Sequence, residues 1–257
     1  MNAFARWRRE RRLRRHLVPR ETFDDAVRKL PLLDGLTPAE QDSLHEQASL
    51  LLADKSFSAA GGADVEPDIQ LAIALQACLL TLHLDENSYR GWSEIILYPD
   101  EFLRPREEVD EAGVVHVFRD ILAGESWHGG PLVLSIADVR ASGRREGFNV
   151  VLHEFAHKLD MLNGDANGFP PLHRGMKSAD WARDFGAAYE DLCARVDAGE
   201  DTVVDPYAST DPAEFFAVAT EMFFEVPDLL ADAYPAVYAQ MRQFYRQDPL
   251  ARLGRPA

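Results

Sequence analysis

The sequence is poor in cysteine and lacks a long uninterrupted apolar run. Its 257 residues include only Cys78 and Cys193, too few for a disulfide framework at this length. We therefore predict that both are reduced thiols. The longest apolar stretch, residues 71–84, is broken by polar side chains and is too short to span a bilayer. No apolar segment follows the basic N-terminus, as a secretory leader would require. These absences favour a cytoplasmic protein without a membrane span.

Basic residues are scarce after the first 20 positions. The chain has 27 Lys and Arg against 43 Asp and Glu, a formal charge of −16. Residues 1–20 hold eight arginines and one acid, so residues 21–257 carry −23. A body that acidic argues against direct nucleic-acid binding, which needs a basic surface. Residues 1–20 form a basic arm with three interpretations: a disordered tail or one docked on the acidic body, an arm that contacts lipid or nucleic acid, or a docking segment for a partner.

Hydrophobic periodicity predicts an α+β fold that is mostly helical. Residues 21–90 read as helical, with Thr37 as an N-cap, Pro38 at the first helical position and Glu40 completing a capping box. After Gly91 three β-rich runs suggest a small sheet, at 93–98, 114–118 and 132–136. Further helices are predicted at 147–162, 179–196, 211–224 and 236–246. No Ser/Gly/Pro linker lies at Gly91, so we expect residues 21–257 to form one domain, with 91–257 as its core.

The motif with the clearest chemistry is H-E-x-x-H at residues 153–157. His153 and His157 lie one turn apart on one helix face, so both imidazoles can reach a single Zn²⁺. Glu154 is displaced by about 100° around the helix, where it can act as a general base on the attacking water. Flanking apolar residues and Gly164 as a C-terminal cap support a helix here.

A catalytic zinc requires a third protein ligand. Asn163 stands where the extended H-E-x-x-H-x-x-G-x-x-H pattern places a third histidine, so that pattern is excluded. A glutamate from a later helix is the alternative, and the candidates are Glu190, Glu214, Glu221 and Glu225. Glu214 also fits the capping-box position of its own helix, after Asp211 and Pro212. From the residues alone Glu214 and Glu221 are equally good candidates, because they are seven apart on one helix face.

Several strings resemble the Mlc titration factor A family of zinc peptidases. They are HEFAHKLD at 153–160, NGD at 163–165, YASTDPAEFFAV at 207–218 and QFYRQDPL at 243–250. The resemblance covers most of the chain from Gly91 and, more loosely, the helical part before it. It implies a zincin-like fold with the small sheet ahead of the H-E-x-x-H helix. It also implies that Glu214 is the third zinc ligand.

The same resemblance extends to function. The family's catalytic centre is similar to that of the anthrax lethal factor protease domain, where a tyrosine seven residues before the ligand glutamate faces the metal. Tyr207 has that spacing, and it either stabilises the oxyanion or anchors a loop. The family implies a gluzincin-type peptidase with one Zn²⁺ per chain, Glu154 as general base and an aminopeptidase-like preference. It also implies binding of the repressor Mlc, so the alternative function is a non-enzymatic protein that sequesters a transcriptional repressor. We expect a monomer.

Weaker candidates surround this motif. Asp160 lies one turn beyond His157, where it either orients a ligand imidazole or faces solvent near the helix end. The run at 132–136 is either an edge strand that pairs with substrate or a plain core strand. His116, His128 and His173 lack ligand spacing and are interpreted as structural or surface histidines.

Overall fold

The computed structural model describes residues 3–85, 88–100, 102–109, 115–122, 124–126 and 129–254. The helices are α1 (Ala3–His16), α2 (Arg20–Val27), α3 (Pro38–Asp54), α4 (Pro67–Thr81), α5 (Ile136–Ala141), α6 (Val150–Asp160), α7 (Ser178–Asp197), α8 (Pro212–Glu225), α9 (Pro227–Ala233), α10 (Pro235–Tyr245) and α11 (Pro249–Leu253). The strands are β1 (Ser56–Ala59), β2 (Glu94–Tyr98), β3 (Phe102–Val109), β4 (Val115–Leu122), β5 (Gly124–Ser126) and β6 (Leu132–Ser135). This confirms the predicted mostly helical α+β fold.

The main sheet has the strand order β1-β2-β6-β5. Strands β1, β2 and β6 are parallel, and β5 closes the far side in antiparallel pairing with β6. Ile95 lies opposite Leu132 and Leu97 opposite Leu134, and all four side chains are buried. Strands β3 and β4 form a separate antiparallel pair.

Three strands differ from the prediction: β1, β3 and the three-residue β5, whose sequence GES was not predicted to be a strand. Strand β1 lies inside the segment 21–90 that was predicted to be helical, and this part of the prediction is wrong. Its four residues, SFSA, carry no apolar run, because the strand is at the sheet edge and none of its residues is buried. Strand β3 was not predicted, since its sequence FLRPREEV contains proline and four charges.

The predicted helices are confirmed with shifted ends. The capping box forms as expected: Glu40 N–H donates to Thr37 Oγ1 at 3.3 Å and Thr37 N–H donates to Glu40 Oε2 at 2.8 Å. The third strand ends at Ser135 rather than at residue 136, because Ser135 Oγ accepts from Asp138 N–H at 3.2 Å and caps α5.

The core is centred on α4, which is buried on nearly every side. This helix packs against α2, α3, α5 and α6, so it joins the N-terminal helices to the part of the chain that carries H-E-x-x-H. Cys78 is a free thiol buried in α4, and Cys193 is a free, half-buried thiol on α7. None of the described helices is long and apolar enough to cross a membrane.

The basic arm contains helix α1, which packs on α3. Arg9 Nη1 lies 2.7 Å from Glu46 Oε2, and Arg12 pairs with Asp54. These contacts correspond to the interpretation of an arm docked on the acidic body. Trp7 remains exposed on the outer side of the helix.

Candidate metal centre

Helix α6 carries the H-E-x-x-H motif and is anchored at its first turn. Asn149 is the N-cap: its Oδ1 accepts from Leu152 N–H at 2.9 Å, and its Nδ2 donates to Gln76 Oε1 at 2.7 Å and Glu225 Oε1 at 2.6 Å. The Val150 N–H donates to Ser142 Oγ at 3.1 Å. A helix start fixed at so many points holds the imidazoles one and two turns later in a defined place.

Helix α8 packs against α6 and supplies the carboxylate. Asp211 caps its first turn by accepting from the N–H groups of Ala213 and Glu214 at 2.8 and 3.0 Å. Pro212 occupies the first helical position as predicted. The Glu214 side chain reaches the two imidazoles of α6, with its Oε2 3.0 Å from His153 Nε2.

Three ligand atoms converge at this point. His157 Nε2 lies 3.2 Å from His153 Nε2 and 3.5 Å from Glu214 Oε2. Tetrahedral zinc ligands at metal distances of about 2.0–2.2 Å lie about 3.3–3.6 Å from one another. The three observed separations agree with this to within about 0.3 Å. In the part of the chain that the structure describes, His153, His157 and Glu214 are the only group whose ligand atoms meet so closely.

The charges around the three atoms favour a cation. Glu154, Glu214 and Glu221 are carboxylates held in or near the protein interior beside the two imidazoles. Burial raises the pKa of Glu214, but hydrogen bonds with His153 and His157 outweigh it and hold that pKa well below its usual range. Buried negative charge of this density needs a counter-charge, which a divalent metal would supply.

Glu221 orients one of the imidazoles. Its Oε1 lies 2.8 Å from His153 Nδ1, and its Oε2 accepts from the Asn149 N–H at 2.5 Å. A carboxylate beside Nδ1 keeps the proton on that nitrogen, so the lone pair of Nε2 faces the convergence point. The residues alone left Glu221 open as a third ligand, but it lies on the opposite side of the ring from the cluster.

The other two glutamate candidates lie elsewhere. Glu225 is buried and accepts hydrogen bonds from the Gly143 N–H at 2.9 Å and from the Asn149 side chain, so it anchors the segment ahead of α6. Glu190 is exposed on α7 and does not belong to the cluster. The structure therefore leaves Glu214 as the candidate that reaches both imidazoles.

Tyr207 faces the centre from a 3₁₀ turn, Pro206–Ser209. Its ring centre lies 6.3 Å from that of His153, and half of its surface is exposed. Burial of the hydroxyl and the charges of Glu214 and Glu154 raise its pKa, so the phenol stays protonated and can donate a hydrogen bond.

Asp160 was interpreted either as a residue that orients a ligand imidazole or as one that faces solvent, and the solvent-facing interpretation is wrong. It is fully buried, and its Oδ2 accepts from the N–H groups of Asn167 and Gly168, both at 2.7 Å. These bonds tie the loop after α6 to the helix. Burial raises the Asp160 pKa more than these bonds lower it.

The strand interpreted as a substrate-binding edge is not an edge. Strand β6 is paired on both sides, by β2 and β5, and all four of its residues are buried. Its plain alternative, a core strand, is correct. His173 is structural, with its Nε2 2.6 Å from Phe244 O. His128 and the side chain of His116 lie outside the described residues.

A pocket of about 530 Å³ opens beside the centre and includes His153, Glu154 and Tyr207 in its wall. Apart from Glu221, sequence reasoning did not assign the other wall residues to a site; they come from the loops before α6 and before the 3₁₀ turn, from α6 and the turn themselves, and from the α8–α9 segment. The local signal for this pocket in the sequence is that apolar residues, such as Phe148 and Val203, stand in segments otherwise rich in loop-forming residues.

A mostly helical fold that gathers two imidazoles from an H-E-x-x-H helix and a carboxylate from a later helix is typical of the metallopeptidases. Comparison with known families specifies the group. Residues 4–246 match the glucose-regulated metallo-peptidase M90 family, and the chain belongs to that family.

Curated relatives extend over nearly the whole chain. It is 43% identical to Mlc titration factor A of Serratia proteamaculans over 236 residues, which are 91% of this chain and 89% of the relative. It is 40% identical to Mlc titration factor A of Klebsiella pneumoniae over 225 residues, which are 87% of this chain and 85% of the relative. The resemblance inferred from the motifs is thereby confirmed.

Proposed function

We propose that this protein is a zinc-dependent peptidase of the gluzincin type, with one Zn²⁺ held by His153, His157 and Glu214. The observation that carries the proposal is the convergence of the three ligand atoms at 3.0–3.5 Å beside the buried Glu154. Zinc at this position would polarise the scissile carbonyl and lower the pKa of the attacking water.

The chain's own groups supply the proton transfers. Glu154 takes a proton from the attacking water and delivers it to the leaving amine. Tyr207 donates a hydrogen bond to the oxygen that gains charge. Glu221 keeps His153 in the tautomer that presents Nε2. Hydrolysis is aminopeptidase-like, and the two free cysteines suit the reducing cytoplasm as its setting.

Replacement of Glu154 by Gln tests the general base. The variant keeps the shape of the side chain but has no basic carboxylate, so it should retain zinc and lose turnover by a factor of about 10² or more. Peptide hydrolysis and zinc content are measured on the same preparation. Glu190→Gln, the same change at an exposed position on α7, serves as the control and should retain activity. Undiminished hydrolysis by zinc-replete Glu154→Gln would refute the assignment.

A second candidate function comes from the relatives' name, Mlc titration factor A. In this reading the protein sequesters a transcriptional repressor without hydrolysing it. The double variant His153→Ala and His157→Ala separates the two functions. If it still binds purified Mlc with unchanged affinity, repressor binding is independent of the metal centre. If binding is lost while the fold is kept, the two functions share the site.

A further inference from the structure

Exposed apolar side chains concentrate at the pocket beside the metal centre. The described chain has seven large hydrophobic residues with high exposure, and four of them, Phe148, Val203, Tyr207 and Leu229, line this pocket. Exposed apolar groups gathered in one concave place mark a binding site, whereas the same groups scattered singly would not.

The pocket is continuous with the catalytic groups. Glu154 and Tyr207 belong to its wall, so a side chain seated in it places the adjoining peptide bond at the general base. Its volume of about 530 Å³ is within the range of sites that enclose small ligands. Val150, Val218 and Met222 form further apolar parts of the wall.

The charges of the pocket have one sign. No lysine or arginine lines it, whereas Glu146, Glu154, Asp205 and Glu221 do. These carboxylates would repel an acidic substrate side chain and attract an ammonium group.

Glu146 is the carboxylate best placed to bind such an ammonium group. Asp205 caps its own turn by accepting from the Tyr207 N–H at 2.9 Å. Glu221 and Glu154 lie deep in the wall and are buried. Glu146 is exposed, and its side chain makes no hydrogen bond or ion pair with another residue that the structure describes.

We propose that the pocket binds the first residue of a peptide, with an uncharged apolar side chain against Val203 and Leu229 and the α-ammonium group paired with Glu146. The substrate class is therefore peptides that begin with a residue such as Leu, Met or Phe. This inference rests on the proposed peptidase function, which supplies the reaction at the adjoining bond.

Equilibrium binding tests the pocket without turnover. Zinc-loaded Glu154→Gln protein is titrated with two fluorescent peptides that differ only in a first residue of Leu or Asp, and anisotropy gives each Kd. The Leu peptide should bind about 10- to 200-fold more tightly. Equal affinities would overturn the proposal.

A lysine placed in the apolar wall should invert this selectivity. Leu229→Lys, in the same Glu154→Gln background, should weaken the Leu peptide and strengthen the Asp peptide. Leu17→Lys is the matched control, because Leu17 is 47% exposed, Leu229 is 44% exposed, and Leu17 lies outside the pocket. Val203→Lys, at a 57% exposed position, repeats the test if Leu229→Lys does not fold. An unchanged ratio in a folded pocket variant, or an equal change in Leu17→Lys, would contradict the proposal.

The ammonium contact has its own test. Acetylation of the Leu peptide should weaken binding about tenfold or more, and Glu146→Gln should remove most of that difference while the preference for Leu over Asp persists. If acetylation has no effect, Glu146 does not bind the ammonium group and that part of the proposal fails.

Wild-type protein distinguishes failure of the pocket from failure of the peptidase. If zinc-loaded wild type cleaves Leu and Asp peptides at equal rates, the peptidase stands and the pocket inference is wrong. If it cleaves neither while the anisotropy selectivity is observed, the pocket stands and the proposed reaction is wrong.

Discussion

Replacement of Glu221 by Gln tests whether this glutamate of α8 orients the His153 imidazole while Glu214 acts as the metal ligand. In the native protein both carboxylate oxygens of Glu221 face a donor, the His153 Nδ1–H at 2.8 Å and the Asn149 N–H at 2.5 Å. A glutamine has one acceptor oxygen and one NH₂ group. Whichever way the amide turns, one of the two buried donors then faces another donor.

The expected loss follows from that mismatch. A buried donor without an acceptor costs about 1–3 kcal/mol, and every 1.4 kcal/mol is tenfold in an equilibrium constant. If the amide oxygen stays with the Asn149 N–H, the imidazole of His153 loses its acceptor and its fixed tautomer. Zinc Kd should then rise by about 10- to 100-fold, the range found when the hydrogen-bond partner of a ligand imidazole is removed. Glu214→Gln should weaken zinc more, because it removes a ligand.

Competition with a fluorescent chelator measures zinc Kd for wild type and variants. Glu225→Gln is the matched control: this buried glutamate of the same helix also accepts from backbone and side-chain donors, but it does not touch an imidazole. It should lower the free energy of unfolding and change zinc affinity much less than Glu221→Gln does, because Asn149 keeps its contacts with Gln76 and the Leu152 N–H. A Glu221→Gln variant that binds zinc within about threefold of wild type would refute the orienting role. Loss as large as that of Glu214→Gln would identify Glu221 as a ligand instead.

Two further predictions concern the loop after α6 and a buried lysine. Gly168 has φ of +75°, and a Cβ there would lie 2.3 Å from Pro212 O at the start of α8. Gly168→Ala should therefore lower the free energy of unfolding, measured in denaturant titrations, by more than about 2 kcal/mol. The control Gly199→Ala, at φ of +69° with open space around the new Cβ, should lower it less, and an equal loss in both variants would contradict the close approach. Burial lowers the pKa of Lys55 from 10.5 to about 8, so between pH 8 and 10.5 the unfolded chain binds more protons than the folded one. The free energy of unfolding of wild type, relative to that of Lys55→Met, should therefore rise from pH 8 to 10.5. A difference in unfolding free energy that does not change with pH would contradict the lowered pKa.

Local patterns were enough to predict the parts of the site that depend on one helix. The spacing of His153 and His157 fixes a shared face through helix geometry alone, and the Asp211–Pro212 pair fixes where α8 begins. Neither pattern predicts how helices α6 and α8 pack against each other. Strand β6 was open to interpretation as an edge for the same reason, because its neighbours β2 and β5 are set by pairing across the sheet.

The choice between Glu214 and Glu221 shows where sequence reasoning ends. Seven residues bring both carboxylates to one face of α8, so helical periodicity treats them alike. The pairing of α6 with α8 separates them: Glu214 meets the Nε2 side of His153, and Glu221 meets the Nδ1 side of the same ring. The imidazole of His153 therefore lies between two carboxylates of one helix, one on its Nε2 side and one on its Nδ1 side. Glu221 keeps Nε2 of His153 directed at the metal position, and a ligand set with Glu214 alone would leave the tautomer of His153 free. This geometry predicts that the double variant binds zinc more weakly than Glu214→Gln alone, because the remaining ligand His153 still needs Glu221 to hold its tautomer.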